Sequence, residues 1–284
     1  MKGVAAFLKL ARFENSLLPV IALVAGFTAV KSDNYPKLIL IILVLLLAHS
    51  IVTIWNDIAD QVGDKHNNIT RIGDLKRSGT YSTLQWLVGC SVVCIIVALL
   101  FLPNITKGLA CVSLLLGWAY NVRPVQASYR PIPSIVLLSL AYGLIPFLMG
   151  ASFGSINWPV IFLATGWTVG RGSLSLLKDY KDAHGDAVAD KRTFLLVYGG
   201  TLTARLSFGL ALMSYAVCVG LVATQAQHTF TAAVLLSIVA VWLLYERARL
   251  FSAHKYGKLN QIFHDCIRYQ LIFDGLVVVC LRTL

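Results

Sequence analysis

The sequence predicts an all-α integral membrane protein with nine transmembrane helices, its N-terminus cytoplasmic and its C-terminus outside. Three observations predict it. Of 284 residues, 57% are hydrophobic and only 13% charged, about half the charged share of a soluble domain, and the mean hydropathy is +0.74. Nine apolar runs approach membrane-spanning length. The basic residues between the runs lie almost all on one side.

The runs are Ser16–Val30, Leu38–Trp55, Thr83–Leu102, Gly108–Asn121, Ile135–Gly150, Trp158–Leu177, Leu202–Thr224, Thr229–Tyr245 and Cys266–Leu281. Each is expected to be a helix, because hydrocarbon cannot satisfy an open strand edge. The fourth is short and needs its flanks. With the N-terminus inside, the N-terminal flank and the segments after the even-numbered runs carry 19 of the 24 Lys and Arg residues, while the outer segments carry only Lys31, Lys37, Lys107 and Arg282. This is the positive-inside distribution. It accounts for the net charge of +11 without a nucleic-acid partner. The flank Met1–Asn15 reads as a basic juxtamembrane helix rather than a cleavable leader. The six cysteines fall within or at the ends of apolar runs and read as small core residues.

Residues 1–284 form a single polytopic membrane domain, with polar cytoplasmic cap loops near 57–82 and 178–201. The location is a prokaryotic cell membrane or a eukaryotic organelle membrane. The two cap loops echo each other. Asp57, Asp60 and Asp64 follow the second run, and Asp179, Asp182 and Asp186 follow the sixth, at a constant offset of 122 residues. These six aspartates are nearly half of the chain's 13 acidic residues. Positions i, i+3 and i+7 share a helical face, so each cluster is expected to aim three carboxylates one way, at the cytoplasmic boundary.

Three aligned carboxylates repel one another, and each is costly near lipid, roughly 2.5–3.5 kcal/mol at mid-membrane on insertion scales. Cations offset both penalties. Oxygen-rich sites suit Mg²⁺, which takes one or two carboxylates and completes its shell with water and phosphate oxygens. Two facing clusters bridged by Mg²⁺ would clamp a diphosphate and stabilise charge on its leaving oxygen, above an apolar chamber for a hydrophobic tail. The bland alternative is that the aspartates solvate helix ends and pair with Lys65, Lys178, Lys181 or Lys191.

Asn56-Asp57-x-x-Asp60-x-x-x-Asp64 resembles the first motif of the UbiA superfamily of intramembrane prenyltransferases, and Lys178-Asp179-x-x-Asp182-x-x-x-Asp186 is similar to its second. Lys191-Arg192-Thr193 resembles the family's Gly-Lys-Arg-Thr stretch, with Asp190 in the glycine position. Arg12 and Asn15 are weakly similar to its start. The resemblance covers essentially the whole chain. It implies a ring of nine helices around a central cavity, with the motifs facing each other at the cytoplasmic mouth. It implies a Mg²⁺-dependent transfer of an isoprenyl group from a prenyl diphosphate to a membrane-associated acceptor, foremost an aromatic or quinone precursor and otherwise a lipid, with release of diphosphate. Carried over, Asp57, Asp60, Asp64, Asp179, Asp182 and Asp186 would hold the metal, with Asp57, Asp60, Asp182, Tyr120 and Arg171 catalytic. Asn56, Lys178, Arg123, Arg130 and Lys191 would contact the diphosphate. After the fourth run this chain keeps Tyr120 and Pro124 but has Gln126 and Ser128 where many members have a basic pair. In the first cap loop the common Arg-Pro-x-x-Ser-Gly is shortened to Arg77-Ser78-Gly79.

Arg171 lies two turns deeper than Lys178, a depth at which a charge is a functional candidate; Asp274, Arg268 and Gln270 on the ninth run are expected to pair with it or to line the cavity. His49 shares a face with Asn56 and reads as a hydrogen-bonded buried histidine or a proton shuttle. Tyr142, Phe147 and Trp167 read as packing or as ring faces toward a carbocation. Two other functions are compatible with the pattern: a terpene cyclase acting on the same donor alone, and a cation transporter. Transporter sites lie near the midplane, whereas these carboxylates lie at one boundary.

Overall fold

The computed structural model describes residues 13–61, 81–225, 229–252 and 256–283, together with Phe7, Leu10, Ile72, Gly73, Lys76 and Gly79. Among these residues every regular element is a helix. The long ones are α1 (Phe13–Ala29), α2 (Tyr35–Ala59), α3 (Tyr81–Leu100), α4 (Asn104–Asn121), α5 (Pro131–Ala151), α6 (Trp158–Val188), α7 (Gly200–Gln225), α8 (Thr229–Ser252) and α9 (Tyr256–Thr283). Each apolar run falls on one of them. Asp64, Arg12, Lys65 and Arg77 lie outside the described residues.

On length and composition, α2, α3, α5, α6 and α7 are each sufficient to cross a membrane, and α1 is a shorter apolar helix. The bundle's outside is apolar: Val93, Ile96 and Leu100 on α3 are 60%, 57% and 69% exposed. Such a surface is stable against lipid, not water, and the chain is membrane-embedded. Three of the cysteines, Cys90, Cys94 and Cys111, are exposed, while Cys218 and Cys266 are buried. The expectation of six core cysteines therefore fails for half of them. Lipid accepts a thiol as readily as a core does, so hydropathy alone does not separate the two.

Local chemistry sets the helix ends. Asn34 caps α2, accepting from Lys37 N, with Pro36 in the first turn. Asn157 caps α6 in the same way through Val160 N, with Pro159 behind it. Neighbouring helices pack side by side, and α1 closes the bundle by touching α2, α5 and α9. One apolar core joins α1 to α5–α9, around Phe147, Trp167, Tyr215 and Phe273. A second joins α1–α5, around Leu23, Ile41, Ile51 and Met149.

The crossing of α1 and α5 depends on two glycines. A Cβ at Gly26 would lie 1.9 Å from the Phe147 carbonyl oxygen, and one at Gly150 would lie 1.9 Å from that of Leu23. Backbone cannot yield as a side-chain tip can. Gly150→Val is expected to cost at least the 1–3 kcal/mol typical of overpacking, seen as a lowered unfolding temperature in detergent. A wild-type melt would show that the helices can separate freely.

The second cap segment differs from expectation. Residues 178–188 are not loop but the end of α6, which runs 31 residues. At 1.5 Å per residue this is roughly 46 Å, longer than the roughly 30 Å hydrocarbon core, so its end reaches the polar boundary. The spacing of Asp179, Asp182 and Asp186 is itself helical, and Asp179 and Asp186 are buried against the bundle. Only a short turn and the one-turn helix Phe194–Tyr198 connect α6 to α7.

Candidate active site

A cavity of about 640 Å³ opens among α1, α2, α4, α5, α6 and α9. Leu45, Val52, Leu116 and Leu138 line its apolar part, and Asn56, Asp60, Asp182, Asp186, Lys178 and Lys191 its polar part. The cavity face of α2 runs through His49, Val52, Thr53, Asn56 and Asp60; that of α6 runs through Arg171, Ser175, Lys178, Asp182 and Asp186. The two helices are used alike. The residue before the first aspartate, Asn56 or Lys178, faces the cavity, and so does the second aspartate.

The first aspartates do not line it. Asp57 and Asp179 are 1% and 4% exposed and sit in the helix packing, one residue and so about 100° round the helix from Asn56 and Lys178. The expectation that each triad points one way is corrected here. The three positions span part of a face, and the cavity sits at one edge of it. Lys178 Nζ keeps Asp179 within reach, at 3.7 Å from Oδ1.

The two motifs meet through Lys191. Its ammonium lies 2.9 Å from Asp60 Oδ1 and 3.0 Å from Asp186 Oδ1. The local backbone explains its place. α6 ends, Asp190 turns left-handed at φ 54°, and Lys191 N returns to donate to the Asp186 carbonyl. A positive φ is what a glycine at this position would accept freely, and aspartate is among the few other residues that tolerate it. Burial by itself would depress the Lys191 ammonium. Asp60 and Asp186 outweigh that and hold its pKa above the usual lysine range.

Asn56 Nδ2 donates to Asp60 Oδ2 and to Asn121 Oδ1, both at 3.0 Å. Lys178 Nζ donates to the Tyr120 hydroxyl at 2.5 Å and lies over its ring. Tyr120 and Asn121 end α4, which approaches α2 closely because Gly117 faces Val52. Asn121 escaped the sequence reading. The signal was there: an amide closing an apolar run, beside a motif tyrosine.

Arg171 lines the cavity but is committed elsewhere. It is 2% exposed, pairs with Asp274 Oδ2 at 2.6 Å, and donates to the carbonyls of Leu18 and Tyr142. Gln270 holds the other Asp274 oxygen, and the Tyr215 hydroxyl holds Gln270. Of the three expected partners only Asp274 pairs with Arg171 directly; Gln270 reaches it through Asp274, while Arg268 lies near Asp265 and lines the cavity, so Arg171 is a framework residue joining α1, α5, α6 and α9. It does not touch the aspartate mouth. His49 is held on both sides, by Ser16 Oγ and the Tyr142 hydroxyl, each at 2.8 Å. Tyr142 rides on a π turn, Leu140–Leu144. Phe147 and Trp167 belong to the core, not to the cavity wall. Arg123 and Arg130, expected to contact the diphosphate, line a separate concavity beside the mouth. Neither is among the residues lining the cavity that holds Asp60 and Asp186.

This is a lipid-embedded helical bundle with an acidic pair bridged at the mouth of an apolar chamber. Residues 16–270 match the model of the UbiA prenyltransferase family, and the chain belongs to that family. It is 27% identical over 106 residues to the bacteriochlorophyll synthase 33 kDa chain of Rhodobacter capsulatus, covering 34% of this chain and 35% of that protein. It is 23% identical over 158 residues to the bacteriochlorophyll synthase 34 kDa chain of Chloroflexus aurantiacus, covering 53% of this chain and 49% of that protein. These matches span only about a third to a half of either relative's length. A UbiA homolog from Archaeoglobus fulgidus bound to DMAPP and Mg²⁺ has the same fold, with a TM-score of 0.74 at 13% identity over 98% of this chain and 99% of that one.

Proposed function

We propose that this protein transfers an isoprenyl group from an allylic diphosphate to a membrane-associated acceptor and releases diphosphate. The observation that carries this reading is the convergence of Asp60 and Asp186, one from each motif, on a single cation at the polar end of an otherwise apolar cavity. The archaeal homolog bound to DMAPP and Mg²⁺ supports it by likeness of fold.

The donor set fits Mg²⁺. Among the described residues no three Asp, Glu, His or Cys groups gather closely enough to cage a metal on their own. Mg²⁺ does not need such a cage, since it takes one or two carboxylates and shares phosphate oxygens. Asp60, with Asn56 beside it, would hold one ion, and Asp182 with Asp186 another. When bound, the metal supplies neutralisation of charge on the departing phosphate oxygens. The chain's own groups do the rest. Lys191 and Lys178 are placed to exchange their present partners for phosphate oxygens. The Tyr120 ring faces the same end of the chamber, where a cationic carbon would be stabilised by its π face. The apolar wall excludes water, the competing nucleophile.

We also propose nine spans in one polytopic domain, with the N-terminus and both motifs cytoplasmic and the C-terminus outside. Two curated relatives named as bacteriochlorophyll synthases support a ring-bearing lipophilic acceptor. The test is to incubate the purified protein with farnesyl and geranylgeranyl diphosphates, Mg²⁺ and a panel of phenolic, quinone-precursor, tetrapyrrole and glycerol-lipid acceptors. Mass spectrometry should find an adduct only when an acceptor is present. Hydrocarbon formed from donor alone would instead mean cyclisation. EDTA is expected to stop turnover and added Mg²⁺ to restore it; activity that persists in EDTA would refute the metal assignment.

A further inference from the structure

The concavity that holds Arg123 and Arg130 has a volume of about 740 Å³ and a third arginine, Arg192, on its wall. All three guanidinium groups are exposed. Two of them donate to neutral oxygens: Arg123 Nε to Gln126 Oε1 and Arg130 to the Pro124 carbonyl, both at 3.3 Å. Arg171, Lys178, Lys191, Arg249, Arg268 and Arg282 each stand in an ion pair, whereas none of these three does among the described residues. Three positive charges thus share one hollow with no carboxylate among its described lining residues, a concentration of charge that an anion would relieve.

The surroundings define the anion further. The hollow lies where α4 ends and α5 begins, at the edge of the apolar bundle surface. Val122 beside it is 37% exposed, and Ile132 and Val136, one turn apart on α5, are 56% and 46% exposed. An apolar strip therefore runs from the arginines down the outside of α5. α5 also opens here with no side-chain cap, so its positive end adds to the same field. Polar anion above and hydrocarbon below is the chemistry of an acidic phospholipid, and basic pockets between helices at the cytoplasmic face suit such headgroups.

We propose that this concavity is a binding site for an anionic phospholipid, with its phosphate among Arg123, Arg130 and Arg192 and its acyl chains along Val122, Ile132 and Val136. The site goes beyond the transfer reaction and is separate from the catalytic cavity. It abuts the mouth through Tyr129, which lines the hollow while the Lys191 ammonium lies 5.4 Å from its ring centre. Arg192 N also donates to the Tyr129 carbonyl. An occupant would thus pin the turn that presents Lys191 to the aspartates.

Native mass spectrometry of the detergent-purified chain tests this without turnover. The probes are phosphatidylglycerol, phosphatidylcholine and soluble glycerol 3-phosphate. Wild type is expected to retain one phosphatidylglycerol, in preference to phosphatidylcholine, and glycerol 3-phosphate is expected not to displace it. Arg123→Gln and Arg192→Gln are each expected to weaken retention by about fivefold, the effect of one basic residue near an anionic lipid surface. Both positions are exposed, so the fold should tolerate them. Lys107→Gln, which removes a charge elsewhere on the surface, is expected to change nothing. Equal retention of phosphatidylcholine, or unchanged retention in both arginine variants, would overturn the proposal. Displacement by glycerol 3-phosphate would overturn the lipid and point to a soluble phosphate ester.

Discussion

Asp60→Ala and Asp182→Ala are each expected to reduce prenyl transfer by at least about 10²–10³-fold, the scale of losing one group that stabilises transition-state charge, while the protein stays folded. Each side chain lines the cavity mouth rather than the packing between helices. Asp60 is joined to Asn56 at 3.0 Å and to Lys191 at 2.9 Å, so its loss leaves a buried ammonium still held by Asp186. Released diphosphate, measured beside a thermal melt, separates chemistry from folding. Near-normal turnover in either variant would remove the basis for a two-motif clamp. Asp57 and Asp179 give a contrast. Both are buried in the helix packing, so their alanine variants should lower stability as well as activity.

The second large effect is on stability. Asp274→Ala is expected to cost about 3–5 kcal/mol, because it leaves the Arg171 guanidinium buried without its counter-charge. The ion pair is closed at 2.6 Å with both side chains almost wholly buried. Gln270 and the carbonyls of Leu18 and Tyr142 complete it, so several helices loosen together. Arg171→Met with Asp274→Leu should regain much of the loss, since replacing both charges removes the desolvation penalty. The readout is the unfolding temperature in detergent. A double variant no better than Asp274→Ala would mean that the pair acts through something other than its charge.

How far the sequence discloses this protein depends on what each feature needs. Helices in lipid are set by local hydropathy, so every apolar run lands on a helix. The pairing of the two aspartate motifs was legible because a repeated spacing at a constant offset of 122 residues survives any detail of packing. Which carboxylates face the cavity was not legible. That depends on helix rotation, set by contacts such as Gly117 against Val52 and Gly26 against Phe147, and a turn of 100° moves Asp57 from mouth to packing. The placement of Arg123 and Arg130 in a separate hollow was not legible for a related reason. Their direction is set by the tertiary course of the loop after α4, which no periodicity records. Lys191 was legible as a residue type but not as a bridge, since its position depends on the left-handed turn at Asp190.

The most direct measurement is a crystal structure with Mn²⁺ and a non-reactive thio-analogue of geranylgeranyl diphosphate. Anomalous scattering would locate the metal. Metal is expected between Asp60 at the end of α2 and Asp182–Asp186 on α6, with a diphosphate touching both helices and the Lys191 ammonium turned from the carboxylates to phosphate. Metal bound by one helix alone, or a diphosphate lodged away from Asp60 and Asp186, would contradict a two-motif clamp.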